Sequence, residues 1–338
     1  MNTKKLSYPE LPRTLNKPAR ISAILIWLLI ICLLGALFIG RYRFDLFQES
    51  FGEDSLFWQL FLKVRLPRVL LALLAGAGLA TSGLVMQTIF RNPLADSGII
   101  GVSQGAGFGA ALGILVFGSQ LVWVQASSFL FSLIALALTI LLSSEIGRGK
   151  ILPLVLSGIG VSALFSSGLG MIKYLADPIN QLPNIVFWLL GSLSATNWET
   201  LTHTSLLIIP LLLFFSAYRW RLNIHSLDKQ VAFSLGMKTS LETYLVLTAA
   251  VLLTAVIISV AGIVSWVGLI IPNFSRIIFG SDTESTVLNT MLMGGIFMII
   301  CDTFARSLLA GEIPLGIFTA LIGSGLFVLL LTTRKIHA

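Results

Sequence analysis

The feature that most constrains this chain is a series of long segments that contain no charged residue. Residues 21–40, 97–144 and 243–275 form uncharged runs of 20, 48 and 33 positions. An α-helix needs about 20 predominantly apolar residues to cross the hydrocarbon core of a bilayer. The first run is therefore long enough for one crossing and the second for two. We predict an all-α polytopic membrane protein.

The overall composition supports this fold class. Of 338 residues, 56% are hydrophobic and only 11% are charged, whereas about 25% of the residues in a typical soluble domain are charged. Such a chain cannot coat a water-facing surface, so a cytosolic enzyme is excluded. The net charge of +7 is explained by basic residues retained on cytoplasmic loops. No segment resembles a nucleic-acid-binding module.

The uncharged runs predict about ten transmembrane helices. Residues 178–198 are apolar but are interrupted by Pro183, Asn184 and Gly191, so this segment is predicted to be re-entrant or interfacial. The chain then divides into a cytoplasmic N-terminal tail (1–20), one transmembrane domain (21–333) and a cytoplasmic C-terminal tail (334–338). The predicted spans are residues 21–40, 69–90, two within 97–144 that turn near 118–120, 151–172, 201–218, two within 243–279, 287–309 and 313–332.

The distribution of Lys and Arg predicts the orientation. With both termini in the cytoplasm, 15 of the 22 basic residues fall on the cytoplasmic side and seven outside, in agreement with the positive-inside rule. The first run is longer than the apolar region of a signal peptide and no cleavage pattern follows it, so it is predicted to be retained. A basic cluster around Arg65 and Arg68 still falls outside, which calls for a reason.

The sequence offers no way to drive transport by itself. It lacks the G-x-x-x-x-G-K-[ST] phosphate-binding loop. Asp302 is the only acidic residue inside a predicted span, whereas ion-coupled carriers place acidic residues at the membrane midplane. Energy is therefore expected from a partner. Asp302 and Arg306 either neutralise each other at their four-residue spacing or serve transport. Cys32 and Cys301 lie in apolar runs, and no metal site is indicated.

Three segments resemble the FecCD family of ABC-importer permeases, whose members carry cobalamin, ferric siderophores or haem. The most specific segment covers about forty residues and contains Arg65-Leu66-Pro67-Arg68, Gly76, Gly83, Gln87, Arg91-Asn92-Pro93-Leu94-Ala95, Gly98, Gly101 and Gly105-Ala106. The second and third contain Gly268-Leu269-Ile270-Ile271-Pro272 with Arg276, and Glu312-Ile313-Pro314-Leu315-Gly316 with Thr319 and Gly323.

The resemblance implies the type II ABC importer permease fold, with ten helices in each of two permease subunits around a central path. It also implies two cytoplasmic ATPase subunits, which would bind ATP and Mg²⁺, and an external substrate-binding protein. This chain would then be a transport subunit in the bacterial inner membrane, in contact with lipid, and hold no cofactor. Ferric siderophores are the expected cargo, with cobalamin, haem and molybdate as alternatives. Rival hypotheses are an ion-coupled secondary transporter and, with little support from three scattered histidines, a membrane enzyme.

The resemblance also implies a docking site for the binding protein. Arg65, Arg68 and Arg306 match arginines that meet glutamates on the two lobes of the binding protein, which would account for the basic cluster outside. The alternative is that these residues anchor the chain to lipid phosphates at the interface.

On the cytoplasmic side, residues 226–236 resemble the helix that couples the permease to its ATPase, within a loop of about 219–242. Ala232 and Gly236 fit close docking because they are small. The chain departs from the family pattern at the acidic position, where Lys229 stands and Asp228 lies one residue earlier. The alternative is an ordinary solvated loop helix.

Asn92 and Leu94 match positions that form a cytoplasmic constriction, so they are predicted to be a gate. The alternative is a tight turn around Pro93. A second departure is Asn273, where many members have His after the proline; this difference would fit a permease partner that is not identical to this chain.

Overall fold

The computed structural model describes residues 16–40, 58–147, 151–227, 229–237, 239–309 and 311–332, and these ranges hold helices and no strand. A π-helical turn, Gln59–Arg65, runs directly into α2, and a 3₁₀ turn, Ser97–Ile100, precedes α3. The twelve α-helices of the described ranges are α1 (Asn16–Phe38), α2 (Leu66–Phe90), α3 (Val102–Phe117), α4 (Leu121–Gly147), α5 (Ile151–Leu175), α6 (Gln181–Leu189), α7 (Trp198–His225), α8 (Lys229–Ser234), α9 (Thr239–Ala261), α10 (Val267–Phe279), α11 (Thr283–Ser307) and α12 (Leu315–Thr332).

The predicted all-α membrane fold with ten helices is confirmed. Within the described ranges, eight helices are long and apolar enough to cross a membrane, and α3 and α10 are shorter apolar helices. The long run 97–144 divides into α3 and α4 close to the predicted turn. The interrupted segment 178–198 holds the nine-residue α6, which is too short to cross a bilayer.

The start of the second span differs from its prediction at residue 69. The helical stretch begins at Gln59 and continues to Phe90, so Arg65 and Arg68 lie on a helix rather than in a loop. The predicted spans were bounded by charged residues, so the second span began after Arg68 and both arginines fell outside the membrane. Their charges are tolerated in the helix because other parts of the chain supply partners, as described below.

Helix α2 is the centre of the bundle, and nearly all of its residues are buried. It packs closely on α10 and α11 through glycines. A Cβ atom added to Gly83 would lie 1.8 Å from the carbonyl oxygen of Gly268, and one added to Gly76 would lie 2.2 Å from that of Gly294. Small residues at such positions let helix backbones touch in a membrane protein.

Helix α3 is preceded by the 3₁₀ turn and helix α10 by irregular backbone. Their 16 and 13 residues correspond to about 24 and 20 Å, less than the roughly 30 Å hydrocarbon core. Irregular backbone at membrane depth needs partners within the protein. These are present: the Thr139 hydroxyl donates to the Ile100 carbonyl at 2.9 Å, and the Asp96 carboxylate accepts from the Gly98 amide at 2.9 Å.

Candidate functional site

The two ends of α2 carry the predicted site residues, and we name them the Arg68 end and the Asn92 end. At the Arg68 end, the guanidinium of Arg68 pairs with two carboxylates. It donates to Asp302 Oδ1 from Nε at 3.0 Å and from Nη2 at 2.9 Å, and to Glu312 Oε1 from Nη1 at 2.9 Å. Arg68 is 8% exposed and Asp302 is 1% exposed. Burial of both charges is tolerated because each has a partner of opposite sign.

The other two predicted docking arginines join the same cluster. Arg306 Nε lies 3.6 Å from Asp302 Oδ2, so the predicted pairing of these residues is present, and Arg68 shares the carboxylate. Arg306 also donates to the Ala36 carbonyl, and Arg65 donates to the carbonyls of Leu37 and Phe38 at 2.9 and 3.0 Å. These carbonyls end α1, where a helix lacks internal donors and carries partial negative charge.

The three arginines are thus brought together but are largely buried. They are reached through a cavity of about 180 Å³ lined by Arg65, Arg68, Arg306, Glu312, Gly40, Leu60 and Val64. The arginine lining fits either a lipid phosphate or a carboxylate of a docked protein. Docking therefore stays a prediction.

At the Asn92 end, residues 91–95 form a tight turn, which we call the gate turn. Arg91 ends α2 with a left-handed conformation, at φ 49°. The Asn92 side chain accepts from the Leu94 amide at 2.9 Å, an arrangement in which Asn replaces a backbone group, and Leu94 is 47% exposed. The tight turn is present with Leu94 projecting from it, and the gate role stays a prediction.

The coupling segment forms the short helix α8. Asp228 lies outside the described residues. Lys229 is the first residue of α8. The helix ends at Ser234 and is followed by Gly236, with φ 82°, and the Met237 amide donates to the Ala232 carbonyl at 3.1 Å. This is the Schellman geometry in which glycine avoids strain.

The small residue Ala232 faces inward. It is 2% exposed and packs with Ile224 and Met237, so its size serves the packing of α8 on its own chain. The outward surface is apolar: Phe233 is 73% exposed, and Val231 and Leu235 are also exposed. Sequence reasoning missed these three residues, although apolar side chains in a loop helix were a signal that could have found them.

A polar cavity of about 400 Å³ lies between the segments that precede α3 and α10. The first turns of both helices reach it, through Ser103, Gln104 and Gly268. Helix N-termini carry partial positive charge and free amide donors. The other polar lining residues are Asp96, Ser97, Ser166, Thr254, Ser265 and Trp266. Sequence reasoning missed this cavity, because its residues come from five separate segments.

Metal-binding and thiol chemistry find little support in the described ranges. No three His, Cys, Asp or Glu side chains there lie close enough to hold a metal ion. Cys32 and Cys301 are both free thiols.

The chain matches the FecCD transport family over residues 28–333. It is 41% identical over 320 residues to the molybdate import system permease protein MolB of Haemophilus influenzae, covering 91% of this chain and 94% of that protein. It is 39% identical over 282 residues to an iron chelatin transport system permease protein of Helicobacter pylori, covering 82% of this chain and 84% of that protein.

The fold is similar to a solved inward-facing conformation of a metal-chelate type ABC transporter. The TM-score is 0.87 at 40% identity, with 93% of this chain and 99% of that chain covered. The similarity covers both ends of α2, and every described helix from α2 onward falls within the family match. The chain therefore belongs to the FecCD transport family and is a multi-span membrane permease subunit of an ABC importer, a transport component rather than an enzyme.

Proposed function

We propose that this chain is one of two permease subunits in an importer that moves a ferric siderophore across the bacterial inner membrane by ATP-driven alternating access. The observation that carries the proposal is the contrast between the buried arginine cavity at the Arg68 end and the exposed apolar surface of α8 at the Asn92 end. One end suits an acidic partner, and the other suits an apolar one.

The Arg68 end is the docking site for the external binding protein in this proposal. Arg65, Arg68 and Arg306 line one cavity, and a glutamate inserted there would meet guanidinium groups already held in place. Charged pairs at the rim of such an interface raise the association rate and make it depend on salt. The same cavity explains why basic residues stand outside.

The contact with the ATPase, which binds ATP and Mg²⁺, is the surface of Val231 and Phe233 on α8 and of Leu235 directly after it. Exposed apolar patches of this kind mark interaction sites. Two ATPases would serve two permeases. This assignment puts the Asn92 end, and with it both chain termini, in the cytoplasm, in agreement with the distribution of Lys and Arg.

Helices α5 and α12 are the surfaces that face the second permease and the path between the two. They are among the least buried spans, and within the described ranges a Cβ added to Gly160, Gly170 or Gly325 would meet no atom of another element within 4 Å. Lys173 is the only charged residue on these two helices. A path with so few charges suits a large chelate that is held by loose contacts.

Molybdate is the second candidate cargo. The polar cavity presents hydroxyl groups and two helix N-termini, which are suited to an oxyanion, and the relative MolB is a molybdate permease. The carboxylate of Asp96 on the cavity wall would repel an anion. We therefore favour an iron chelate over molybdate as the cargo.

Reconstitution with the ATPase and the binding protein tests this proposal. The measurements are uptake of a radiolabelled ferric hydroxamate siderophore and of radiolabelled molybdate, each with and without ATP, binding protein and an uncoupler. Iron uptake that requires both ATP and the binding protein is expected. Molybdate uptake under the same requirements would replace the cargo. Uptake that ignores ATP and collapses with the uncoupler would overturn the mechanism in favour of ion coupling.

A further inference from the structure

The gate turn is connected to α10 by a chain of amide hydrogen bonds that begins at a proline. Pro272 lies inside α10 and has no N–H, so the carbonyl of Gly268 loses its helical donor. Gln87 on α2 replaces that donor: its Nε2 lies 3.3 Å from the Gly268 oxygen and 3.1 Å from the Leu269 oxygen. The proline therefore creates a vacancy that a side chain from another helix fills.

Arg276 fixes the direction of this side-chain amide. Its guanidinium donates to Gln87 Oε1 and lies 3.5 Å from Asn273 Oδ1. Because a guanidinium can only donate, both amide oxygens must face it. The NH₂ groups of Gln87 and Asn273 are thereby turned toward carbonyl groups.

Asn273 carries the chain of hydrogen bonds to the gate turn. Its Nδ2 donates to the Leu269 carbonyl of its own helix at 2.8 Å and to the Pro93 carbonyl at 2.9 Å. The side chain is buried. Pro93 stands between the two predicted gate residues, Asn92 and Leu94, so this bond holds the middle of the gate turn against α10.

The other side of the gate turn is held by the segment that leads into α8. The Arg91 guanidinium donates to the Leu227 carbonyl, and α8 begins two residues later. The gate turn is therefore attached at one point to the ATPase-coupling segment and at another to α10. A displacement of α8 pulls on one attachment while the other resists it.

We infer that Asn273 is a positioning residue that anchors the gate turn to α10, so that movement of the coupling segment, which reaches the turn through Arg91, changes the shape of the turn. The inference rests on the proposed function, since it takes Leu94 as a moving gate and α8 as the ATPase contact. Asn273 acts through its bond to Pro93 and touches no cargo. Its bonds are all between neutral groups except that to Arg276, so they can break and form again during a transport cycle at modest cost. This role gives a physical reason for an asparagine at a position where the family pattern differs.

A matched pair of asparagines makes the test specific. Asn289 on α11 is buried like Asn273 and donates to the carbonyl four residues earlier, Ser285, at 2.8 Å, but its other contact is with Ser22 of α1 at 2.9 Å. The variants are Asn273→Leu and Asn289→Leu. Both lose the same kind of bond to their own helix, and only the first loses the bond to the gate turn.

The first readout is the number of cargo molecules taken up per ATP hydrolysed. It uses the full complex in proteoliposomes and whichever of the two radiolabelled probes the wild type imports. Asn273→Leu is expected to lower this ratio about tenfold while ATP hydrolysis continues, and Asn289→Leu is expected to leave the ratio unchanged. Equal ratios for the two variants would overturn the inference, because a merely structural bond would affect both alike.

The second readout needs no cargo. A Leu94→Cys reporter is placed in a chain that also carries Cys32→Ala and Cys301→Ala, and its maleimide labelling rate is compared in nucleotide-free and vanadate-trapped complexes. The rate is expected to change by about fivefold or more with Asn273 present and to become independent of nucleotide in Asn273→Leu. A normal response in that variant would overturn the inference alone. No response with Asn273 present would overturn the gate itself, and the inference with it.

Arg91→Ala carries the same test if Asn273→Leu does not assemble. Arg91 is exposed, so its loss is compatible with folding, and it removes the bond to Leu227. The labelling rate of the Leu94→Cys reporter is again expected to become independent of nucleotide. Retention of that dependence would contradict the proposed linkage.

Discussion

The two ends of α2 hold buried polar groups in different ways. At the Arg68 end, full charges are paired: Arg68 shares Asp302 with Arg306 and also binds Glu312. At the Asn92 end, side-chain amides bridge carbonyl groups, as Gln87 does for α10. The first end joins α1, α2 and α11 in an arrangement that is costly to open. The second consists mainly of hydrogen bonds between neutral groups, with Arg276 as a charged donor to Gln87.

Under the proposed function, this difference matches a fixed docking end and a movable gate. Removing one partner from a buried ion pair leaves an uncompensated charge, at about 3–5 kcal/mol, whereas an unmade neutral hydrogen bond costs about 1–3 kcal/mol. A docking surface benefits from arginines that are already ordered when the partner arrives. A gate benefits from bonds that a conformational change can break.

The largest expected effect comes from Asp302→Leu. This substitution leaves Arg68 and Arg306 buried without their shared carboxylate, so the free energy of unfolding should fall by about 3–5 kcal/mol. Thermal unfolding of the purified chain in detergent measures the loss. Glu312→Gln is the control, since Glu312 is partly exposed and the variant keeps an acceptor for Arg68. Equal stability of both variants would contradict the view that this end is a rigid ionic cluster.

The matching change at the other end is Gln87→Leu. It leaves the Gly268 carbonyl without a donor and removes an acceptor from Arg276, so a loss of about 1–3 kcal/mol is expected. The same unfolding assay places both ends on one scale. If Gln87→Leu proved as costly as Asp302→Leu, the distinction between a fixed and a movable end would fail.

Arg65→Glu is expected to have a smaller effect, a change of about tenfold in the association rate of the binding protein. The reversed charge at the cavity should slow the association of the binding protein and weaken its salt dependence, as measured by biolayer interferometry at two salt concentrations. Arg219→Glu, the same charge reversal on α7 at the opposite end of the bundle, is the control. An unchanged association rate for Arg65→Glu would remove docking from the Arg68 end and favour lipid anchoring.

The smallest expected effect on folding is that of Phe233→Ser. Because Phe233 is exposed on α8, its replacement should change the free energy of unfolding by less than about 0.5 kcal/mol. Copurification of the ATPase should nevertheless be reduced, since an apolar contact is lost. Thr243→Ser, outside α8, is the control. Full recovery of the ATPase with the variant would show that this surface is not the coupling contact.

The sequence predicts the architecture well and the interior contacts poorly. Uncharged runs locate most of the helices to within about five residues because membrane spans are selected for length and lack of charge. The span predicted over 201–218 is an exception, since α7 continues past its charged residues to His225. The helical start at Gln59 was missed because the partners of Arg68 lie 234 and 244 residues away along the chain. Long-range pairing of this kind leaves no local pattern.

The two ends differ in how far their roles could be predicted. The resemblance identified three arginines, and the structure brings them together: Arg65, Arg68 and Arg306. The carbonyl groups of α1 that accept from Arg65 and Arg306 could not be predicted, because a backbone acceptor leaves no pattern in the sequence. Ala232 was interpreted as a contact residue because it is small, whereas burial against Ile224 explains its size. The bond from Asn273 to Pro93 depends on a fold that places residues 180 apart side by side.

The contact of α2 with its neighbours matters for electrical insulation. Where Gly83 meets Gly268 and Gly76 meets Gly294, backbones touch without space for an added methyl group, and no thread of water fits between them. An energised membrane stores about 2.3 kcal/mol per elementary charge for each 100 mV, which a continuous water thread would dissipate. These two contacts therefore help each subunit to insulate the membrane along α2.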